Sequence, residues 1–184
     1  MPPINAPVCN FGEKAKNFTL QSTENKKISL ENVSGKNGTL IMFICNHCPY
    51  VKAIIKDIVS DVELLQSLNI KAAAIMSNDV KNYPDDSFEN MISFSKLNKF
   101  SFPYLIDSTQ EVAKNYGAVC TPDFFGYNAN HELQYRGRIR ELKNLKAVRS
   151  GNSDLRNAME LIAKTGKGPT NQIPSMGCSI KWLK

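Results

Sequence analysis

Phe43-Ile44-Cys45-Asn46-His47-Cys48-Pro49 is the stretch of this 184-residue chain on which the predicted fold and chemistry depend. It places two cysteines three residues apart. Some pair among five cysteines in a chain of this length reaches that spacing by chance about one time in ten, so the spacing needs context. Residues 39–44 supply it on one side, because their almost continuous apolar run predicts a strand buried on both faces of a sheet.

An amphipathic helix is predicted directly after the second cysteine, over residues 49–68. Its apolar side chains recur with the 3.6-residue period of a helix, and polar residues fill the opposite face. Pro49 suits the first turn, because its missing N–H would find no partner there in any case. The sequence therefore predicts a strand that ends at Cys45 and a helix that begins at Cys48 or just after it.

This placement predicts redox chemistry, since the N-terminus of a helix offers unpaired N–H groups and about half a positive charge, and both stabilise a thiolate. We expect Cys45 to be the more exposed sulfur and Cys48 to resolve the mixed disulfide that forms with a substrate. His47 adds a donor or a positive charge beside them. A fall in the pKa of Cys45 from about 8.5 to about 6.5 would stabilise the reduced form by only roughly 0.8 kcal/mol at pH 7.

The rest of the chain alternates between strand and helix patterns. The predicted elements are a hairpin of strands at 18–23 and 27–30, a strand at 70–76, a helix that opens at 85–89, a strand at 103–106, a helix at 109–116, an antiparallel pair at 119–127 and 132–138, and a helix at 154–164 capped by Ser153. This order predicts an α/β sandwich with a mixed central sheet flanked by helices. We expect one domain over residues 1–164, with its core at about 11–164, and an irregular tail at 165–184 that docks on it.

Composition excludes several classes of protein. The chain is 42 % hydrophobic and 22 % charged, which are ordinary globular values. The net charge of +6 comes from scattered lysines without a basic and aromatic stripe, so we expect no nucleic-acid partner. No apolar run approaches 18 residues and the first 15 lack a signal-peptide pattern, so we expect no membrane span and a cytoplasmic location.

The cysteine count also argues against a disulfide framework, because five is an odd number and a chain of this size does not need disulfide bonds to stabilise its core. A structural zinc site would need four ligands, and the remaining Cys9, Cys120, Cys178, His47 and His131 show no paired ligand spacing. We therefore predict no metal and no dissociable cofactor. An iron–sulfur cluster shared between two chains stays open as an alternative.

A second informative stretch is Val119-Cys120-Thr121-Pro122-Asp123-Phe124-Phe125. A proline that opens a strand late in an α/β domain either marks an edge strand or follows a cis peptide bond in a turn. The residues alone do not decide between these two readings.

Together these stretches resemble the thioredoxin superfamily, and more closely the bacterial peroxiredoxin-like proteins of the AhpC/TSA–redoxin group. The resemblance rests on blocks that span nearly the whole chain: residues 43–52, Ser77-Asn78-Asp79, Tyr83-Pro84-Asp85-Asp86-Ser87, 102–107, 117–125, 135–139 and 177–182. It implies a thioredoxin-like fold with an N-terminal β-hairpin extension, Cys45 as nucleophile and Cys48 as its partner. It also implies a cis Thr121–Pro122 bond that exposes the Thr121 backbone for pairing with an extended substrate segment.

The chain departs from the family patterns at several positions. Thr39 stands where thioredoxins carry a buried acid, and Asn46-His47 replaces their Gly-Pro. Cys48-Pro49 is similar to the peroxidatic Cys-Pro step of peroxiredoxins, but Cys45 stands in place of their threonine. Their arginine has no counterpart near residues 119–121, which weakens the case for peroxidase activity.

We therefore predict a thiol–disulfide oxidoreductase in which Cys45, Cys48 and His47 are catalytic and Thr121 and Pro122 bind substrate. Its substrate would be a disulfide-bearing protein or a small thiol compound, and a thioredoxin system or glutathione would recycle it. Cys120 and Cys178 are candidate accessory thiols, although packing roles are also open to both. The alternatives are a thiol peroxidase that uses Cys48 and a non-catalytic module that binds a metal or a cluster.

Overall fold

The computed structural model describes residues 2–184 and contains one large mixed sheet flanked by helices. The strands, numbered in chain order, are β1 (Ile4–Asn5), β2 (Thr19–Ser22), β3 (Lys27–Ser29), β4 (Gly38–Phe43), β5 (Ile70–Met76), β6 (Tyr104–Ile106), β7 (Cys120–Thr121), β8 (Asp123–Tyr127), β9 (Leu133–Tyr135), β10 (Leu142–Lys143), β11 (Lys146–Ala147) and β12 (Met176–Ser179). The helices are α1 (Pro49–Ser67), α2 (Phe88–Leu97), α3 (Glu111–Tyr116) and α4 (Asp154–Thr165), with 3-10 turns at Glu31–Val33 and Pro84–Asp86.

The central sheet has the strand order β3-β2-β6-β5-β4-β8-β9. Strands β4, β5 and β6 run parallel, and β2, β3, β8 and β9 join them in antiparallel pairs. Two smaller sheets, β1-β12-β7 and β10-β11, complete the described part. The predicted α/β class with a mixed, helix-flanked sheet and an N-terminal hairpin is confirmed.

Strand β4 is buried along its whole length because it has a core on each face. Leu40 and Met42 pack into the cluster that contains the apolar sides of α1 and α4. Ile41 and Phe43 pack into a second cluster that contains α3. The apolar run at 39–44 is therefore explained by the two-sided burial that it predicted.

Three predictions need correction. The single strand at 119–127 is divided at Pro122 into β7 and β8, because a proline has no N–H with which to continue the ladder. Asp85 and Asp86 do not open α2, since they lie in a 3-10 turn and the helix begins at Phe88 with Ser87 as its cap. The segment at 142–147, to which no structure was assigned, forms the β10-β11 hairpin.

The C-terminal tail is not irregular throughout. Residues Met176–Ser179 form β12, which lies between β1 and β7 and pairs antiparallel with both. Ile180 follows it with its N–H on the carbonyl of Val119 at 2.9 Å and its side chain buried. This part of the tail therefore pairs with the body of the protein as a strand.

Within residues 2–184, no helix combines the length and the apolar character needed to cross a membrane.

Candidate active site

The two cysteines lie where β4 ends and α1 begins. Cys45 follows the strand by two residues, and Cys48 is the N-cap of α1, with Pro49 in the first helical position. The turn between them is fixed by Asp86, whose Oδ1 accepts the N–H of Asn46 at 2.8 Å and that of His47 at 3.3 Å. A buried carboxylate therefore satisfies two N–H groups of a turn that would otherwise have no partner.

Both sulfurs face Thr121. Cys45 Sγ lies 3.4 Å from the Thr121 hydroxyl, and Cys48 Sγ lies 3.2 Å from the Thr121 carbonyl oxygen. Each cysteine is 0 % exposed, so the expectation that Cys45 is the more exposed sulfur is wrong. Strand β12 contacts α1, and its Cys178 lies opposite Thr121 of β7.

The two thiols interact, and the interaction stabilises a thiolate on Cys48. A hydrogen bond from the Cys45 thiol lowers the pKa of Cys48 to about 5 against the opposing effect of burial, and the N–H groups of Val51 and Cys178 add to it. The same contact with Cys48, together with burial and the charge of Asp86, raises the pKa of Cys45 well above its usual value. The direction for Cys45 is thus opposite to the depressed pKa expected from the sequence, because its thiol keeps its proton in the contact with Cys48.

Asp86 is the functional side chain that the sequence interpretation missed. Besides the two turn N–H groups, it accepts hydrogen bonds from His47 Nδ1 at 2.7 Å and from Asn78 Nδ2 at 2.8 Å. Burial alone would raise the pKa of Asp86, but the hydrogen bonds from His47 and Asn78 outweigh it and lower the pKa. Its block, Tyr83 to Ser87, contributed to the family resemblance, but no single residue within it signals this contact.

His47 lies at the edge of the site and is the most exposed member of this network. The hydrogen bond to Asp86 raises its pKa although burial opposes the shift, and the charge of Lys181 also opposes it. Its ring stacks on Tyr83 at a centroid distance of 6.0 Å. His47 is thus held next to the thiols by a hydrogen bond that its Nδ1 donates to Asp86.

The Thr121–Pro122 peptide bond is cis. Thr121 is only 3 % exposed, because its backbone pairs with Cys178 of β12. The expectation that the Thr121 backbone is free for a substrate strand is therefore wrong for this conformation. A substrate strand could take that place only after β12 had left it.

The candidate accessory thiols lie in two different environments. Cys178 is half-buried, packs against the cluster that contains Cys45 and Cys48, and contacts Cys48; burial and this contact raise its pKa to about 11. Cys120 is fully buried, with its sulfur 3.6 Å from the Pro122 carbonyl oxygen, and burial raises its pKa. Cys9 is half-buried and away from the helix tip, and burial raises its pKa to about 11.

The residues that mark departures from the family patterns have other partners. Thr39 accepts the N–H of Gly35 at 3.3 Å. Arg136 donates to Asp123 at 2.9 Å and to the Gly117 carbonyl at 2.7 Å, and its guanidinium lies over the ring of Phe125. It is thus held in a buried ion pair on β8.

One group of donor atoms in the described residues has the chemistry of a metal site. Atoms of Cys45, His47 and Asp86 lie within 4.8 Å of one another. Two of these residues already bond to each other, since His47 Nδ1 donates to Asp86 Oδ2 at 2.7 Å. Structural zinc sites use four ligands, and this set supplies three.

The AhpC/TSA family matches residues 11–142. The chain belongs to the AhpC/TSA family. No curated protein matches it. Two solved structures are similar over nearly their whole length. One is an uncharacterized conserved protein from Geobacillus kaustophilus, with 37 % identity, a TM-score of 0.94 and coverage of 100 % of this chain and 97 % of that one. The other is the hypothetical protein SMc02350 from Sinorhizobium meliloti 1021, with 31 % identity, a TM-score of 0.89 and coverage of 97 % of this chain and 98 % of that one.

A more distant structure is the thioredoxin domain of the thiol-disulfide oxidoreductase BVU-2223 from Bacteroides vulgatus. It has 14 % identity and a TM-score of 0.58, and the alignment covers 73 % of this chain and 89 % of that one. Identity this low supports the fold alone. The thioredoxin-like fold is thus shown, and at the coarse level the chain is a redoxin of the AhpC/TSA family.

Proposed function

We propose that this protein is a thiol–disulfide oxidoreductase in which Cys48 is the nucleophile and Cys45 the resolving thiol. The observation that carries the proposal is the contact between two thiols at the tip of α1, which favours a thiolate on the N-cap residue. This assignment reverses the roles expected from the sequence. The pair itself is the one that the sequence predicts.

The proposed reaction balances in two steps. The Cys48 thiolate attacks one sulfur of a substrate disulfide, and the other sulfur leaves as a thiolate. Cys45 then loses its proton to that thiolate and attacks Cys48 Sγ, which releases the second substrate sulfur and leaves a Cys45–Cys48 disulfide. The thioredoxin system or glutathione is the proposed reductant that restores the dithiol.

The low pKa of Cys48 affects its role as the leaving group of the Cys45–Cys48 disulfide more than its rate of attack on a substrate disulfide. At pH 7 it raises the thiolate fraction from about 3 % to about 99 %, roughly thirtyfold, while intrinsic nucleophilicity falls by about fortyfold. The attack rate therefore changes little. The reduced form, however, is stabilised by roughly 3 kcal/mol, or about 60 mV for two electrons, which makes the Cys45–Cys48 disulfide a better oxidant.

His47 and Asp86 are proposed to position the pair. Asp86 fixes the turn that carries both cysteines, and its hydrogen bond to His47 holds the imidazole beside them. Thr121 is proposed to act at the same site through its hydroxyl, which lies next to Cys45 Sγ and also lowers the pKa of Cys48. Pro122, the next residue along the backbone, is proposed to contact the substrate together with Thr121.

The test is to trap the mixed disulfide in variants that also carry Cys178→Ser, so that Cys178 cannot resolve it. With Cys45→Ser, reduced protein treated with oxidised glutathione should accumulate a glutathione adduct on Cys48, found in the tryptic peptide of residues 37–52. With Cys48→Ser, adduct formation on Cys45 should be at least about tenfold slower, because burial and the charge of Asp86 still raise the pKa of Cys45 when the Cys48 thiol is gone. The reverse pattern would overturn the assignment of Cys48 as nucleophile.

A thiol peroxidase that uses Cys48 is the second candidate, and the low pKa of Cys48 together with the family favours it. The structure does not supply the arginine that the peroxiredoxin pattern calls for, since Arg136 is hydrogen-bonded to Asp123 and to the Gly117 carbonyl. Stopped-flow oxidation by hydrogen peroxide separates the two. Oxidation of Cys48 no faster than that of free cysteine fits the oxidoreductase, and oxidation orders of magnitude faster fits the peroxidase.

A binding module is tested by metal analysis of anaerobically purified protein. The donors of Cys45, His47 and Asp86 would be its ligands. A stoichiometric metal that is lost in Cys45→Ser would favour this class over catalysis. We further propose a cytoplasmic location, a protein disulfide or small thiol compound as substrate, and neither nucleic acid nor membrane as partner.

A further inference from the structure

Strand β12 occupies the place at which a substrate strand would pair. It runs antiparallel to β7 with Cys178 opposite Thr121 and Ser179 opposite Cys120. Extended peptides bind to exposed sheet edges by this same backbone pairing. The chain thus fills its own recognition edge with a segment that carries a cysteine.

Gly177 allows this close approach. A Cβ at position 177 would overlap the carbonyl oxygen of Thr121 and would lie 3.0 Å from Pro122 Cδ. Both are backbone or ring atoms that cannot rotate away. Only glycine therefore lets β12 lie so near to Thr121 and Pro122.

The pairing register directs Cys178 toward the other two thiols. Residues that lie opposite each other in an antiparallel pair carry their side chains on the same face, with Cβ atoms about 5 Å apart. Thr121 uses that face to reach Cys45 with its hydroxyl, and Cys178 contacts Cys48 from it. Cys120, one residue earlier, faces the opposite side of the strand.

Exposure differs among the three sulfurs in a way that gives Cys178 a role. Cys45 and Cys48 are 0 % exposed, whereas Cys178 is only half-buried. A disulfide confined to Cys45 and Cys48 joins two fully buried residues. A disulfide that includes Cys178 has one member in a partly exposed residue.

Hydrogen bonds also fix the backbone that follows Cys178. The backbone N–H of Lys181 bonds to Asn78 Oδ1 at 2.8 Å, and its carbonyl accepts from Gln110 Nε2 at 2.8 Å. Asn78 also donates to Asp86. The segment that follows β12 is therefore linked through Asn78 to Asp86, the side chain that fixes the turn between the two cysteines.

From these observations we propose that Cys178 is a third redox thiol, which takes over the disulfide from the Cys45–Cys48 pair and presents it to the reductant at the surface. The inference rests on the proposed function. The Cys178 thiolate attacks Cys48 Sγ, the Cys45–Cys48 bond breaks, and the electron pair leaves on Cys45, which takes up the proton that Cys178 gave up. The exchange is neutral in electrons and yields a Cys48–Cys178 disulfide.

The test maps disulfides in the full chain. After reaction with oxidised glutathione, acid quench and tryptic digestion, Cys48–Cys178 joins the peptides of residues 37–52 and 168–181, whereas Cys45–Cys48 lies within the first peptide. In Cys45→Ser, the crosslink should replace the glutathione adduct. Adding Cys178→Ser should lengthen the lifetime of the adduct at least tenfold.

A matched pair of variants in the Cys45→Ser background tests the geometry. Gly177→Val should lower the crosslinking rate at least tenfold, while Met176→Val, at an exposed position of the same strand, should leave it within twofold. An adduct on Cys48 that is equally long-lived with and without Cys178 would overturn this inference and leave the proposed function standing. A Cys48 that takes up no glutathione in any variant would overturn both.

Discussion

Cys48 and Cys120 are both fully buried beside Pro122, yet their thiols have opposite properties. The pKa of Cys48 is lowered to about 5 by the Cys45 thiol and by backbone N–H groups. Burial raises the pKa of Cys120, and the charge of Asp123 adds to the rise. Burial is common to both, so the difference comes from the donors.

This comparison shows why a cysteine count or a distance from Pro122 does not identify a reactive thiol. Cys120 is two residues from Pro122 in sequence, but its neighbour Thr121, and not Cys120, faces the helix tip. Cys48 is more than seventy residues away in sequence and lies 3.2 Å from the Thr121 carbonyl oxygen.

The largest expected effect is on thiol–disulfide exchange. Cys48→Ser should lower the rate of reaction with oxidised glutathione at pH 7 by at least about tenfold, because a hydroxyl is not a nucleophile toward disulfides. Cys120→Ser should stay within about twofold of the parent. Equal losses in the two variants would remove the contrast on which the account depends.

The second prediction concerns the donor that Cys45 provides. Cys45→Ala removes the hydrogen bond to the Cys48 thiolate, and a hydrogen bond to a charged group is worth about 1.5–3 kcal/mol. The midpoint of Cys48 alkylation by iodoacetamide should therefore move up from about pH 5 by roughly one to two pH units. Cys45→Ser is the matched control, since its hydroxyl can still donate, and it should move the midpoint less than Cys45→Ala does.

A smaller effect is expected at His47. Asp86→Asn should lower the pKa of His47 by about one pH unit, measured by NMR titration of the imidazole, because the charged acceptor is lost. In the parent the pKa of His47 is raised on folding. Its stabilising contribution is therefore fully present below pH 6.5 and is lost as the pH rises through the folded value. The variant should lose this pH dependence, and an unchanged His47 titration would contradict the proposed network.

The smallest effect is structural. Cys120→Ala should lower the free energy of unfolding by about 1 kcal/mol, measured by urea denaturation, through the loss of a buried sulfur from the packed interior. Exchange activity should remain. A large loss of activity with intact stability would show that Cys120 takes part in the chemistry.

Local pattern was sufficient for much of the fold. The strand at Ile70–Met76 and the start of α1 at Pro49 agree with their predictions, because a two-sided apolar run and an amphipathic period each come from a single element and its burial. The pair of cysteines at the helix tip followed from the same two elements. These features depend on neighbours in sequence.

The remainder depends on partners far along the chain. Strand β12 has the sequence Met-Gly-Cys-Ser, which shows no strand pattern, and it is ordered by pairing with β1 and β7. Asp86 follows an aspartate before a helix, so its sequence context suggests a first-turn acid, whereas it is buried against a turn forty residues earlier. The order of Cys45 and Cys48 along the chain likewise does not decide which sulfur attacks, since the contacts of each sulfur come from the other thiol and from the distant Thr121.

The most direct test of the account is a pH titration of the reduced protein with ¹³Cβ-labelled cysteine, followed by NMR and assigned with single Cys→Ser variants. The account predicts that Cys48 titrates with a midpoint near pH 5, while Cys45 and Cys120 remain protonated beyond pH 9. A Cys48 resonance that titrates near pH 8.5, or a Cys45 resonance that titrates first, would contradict it.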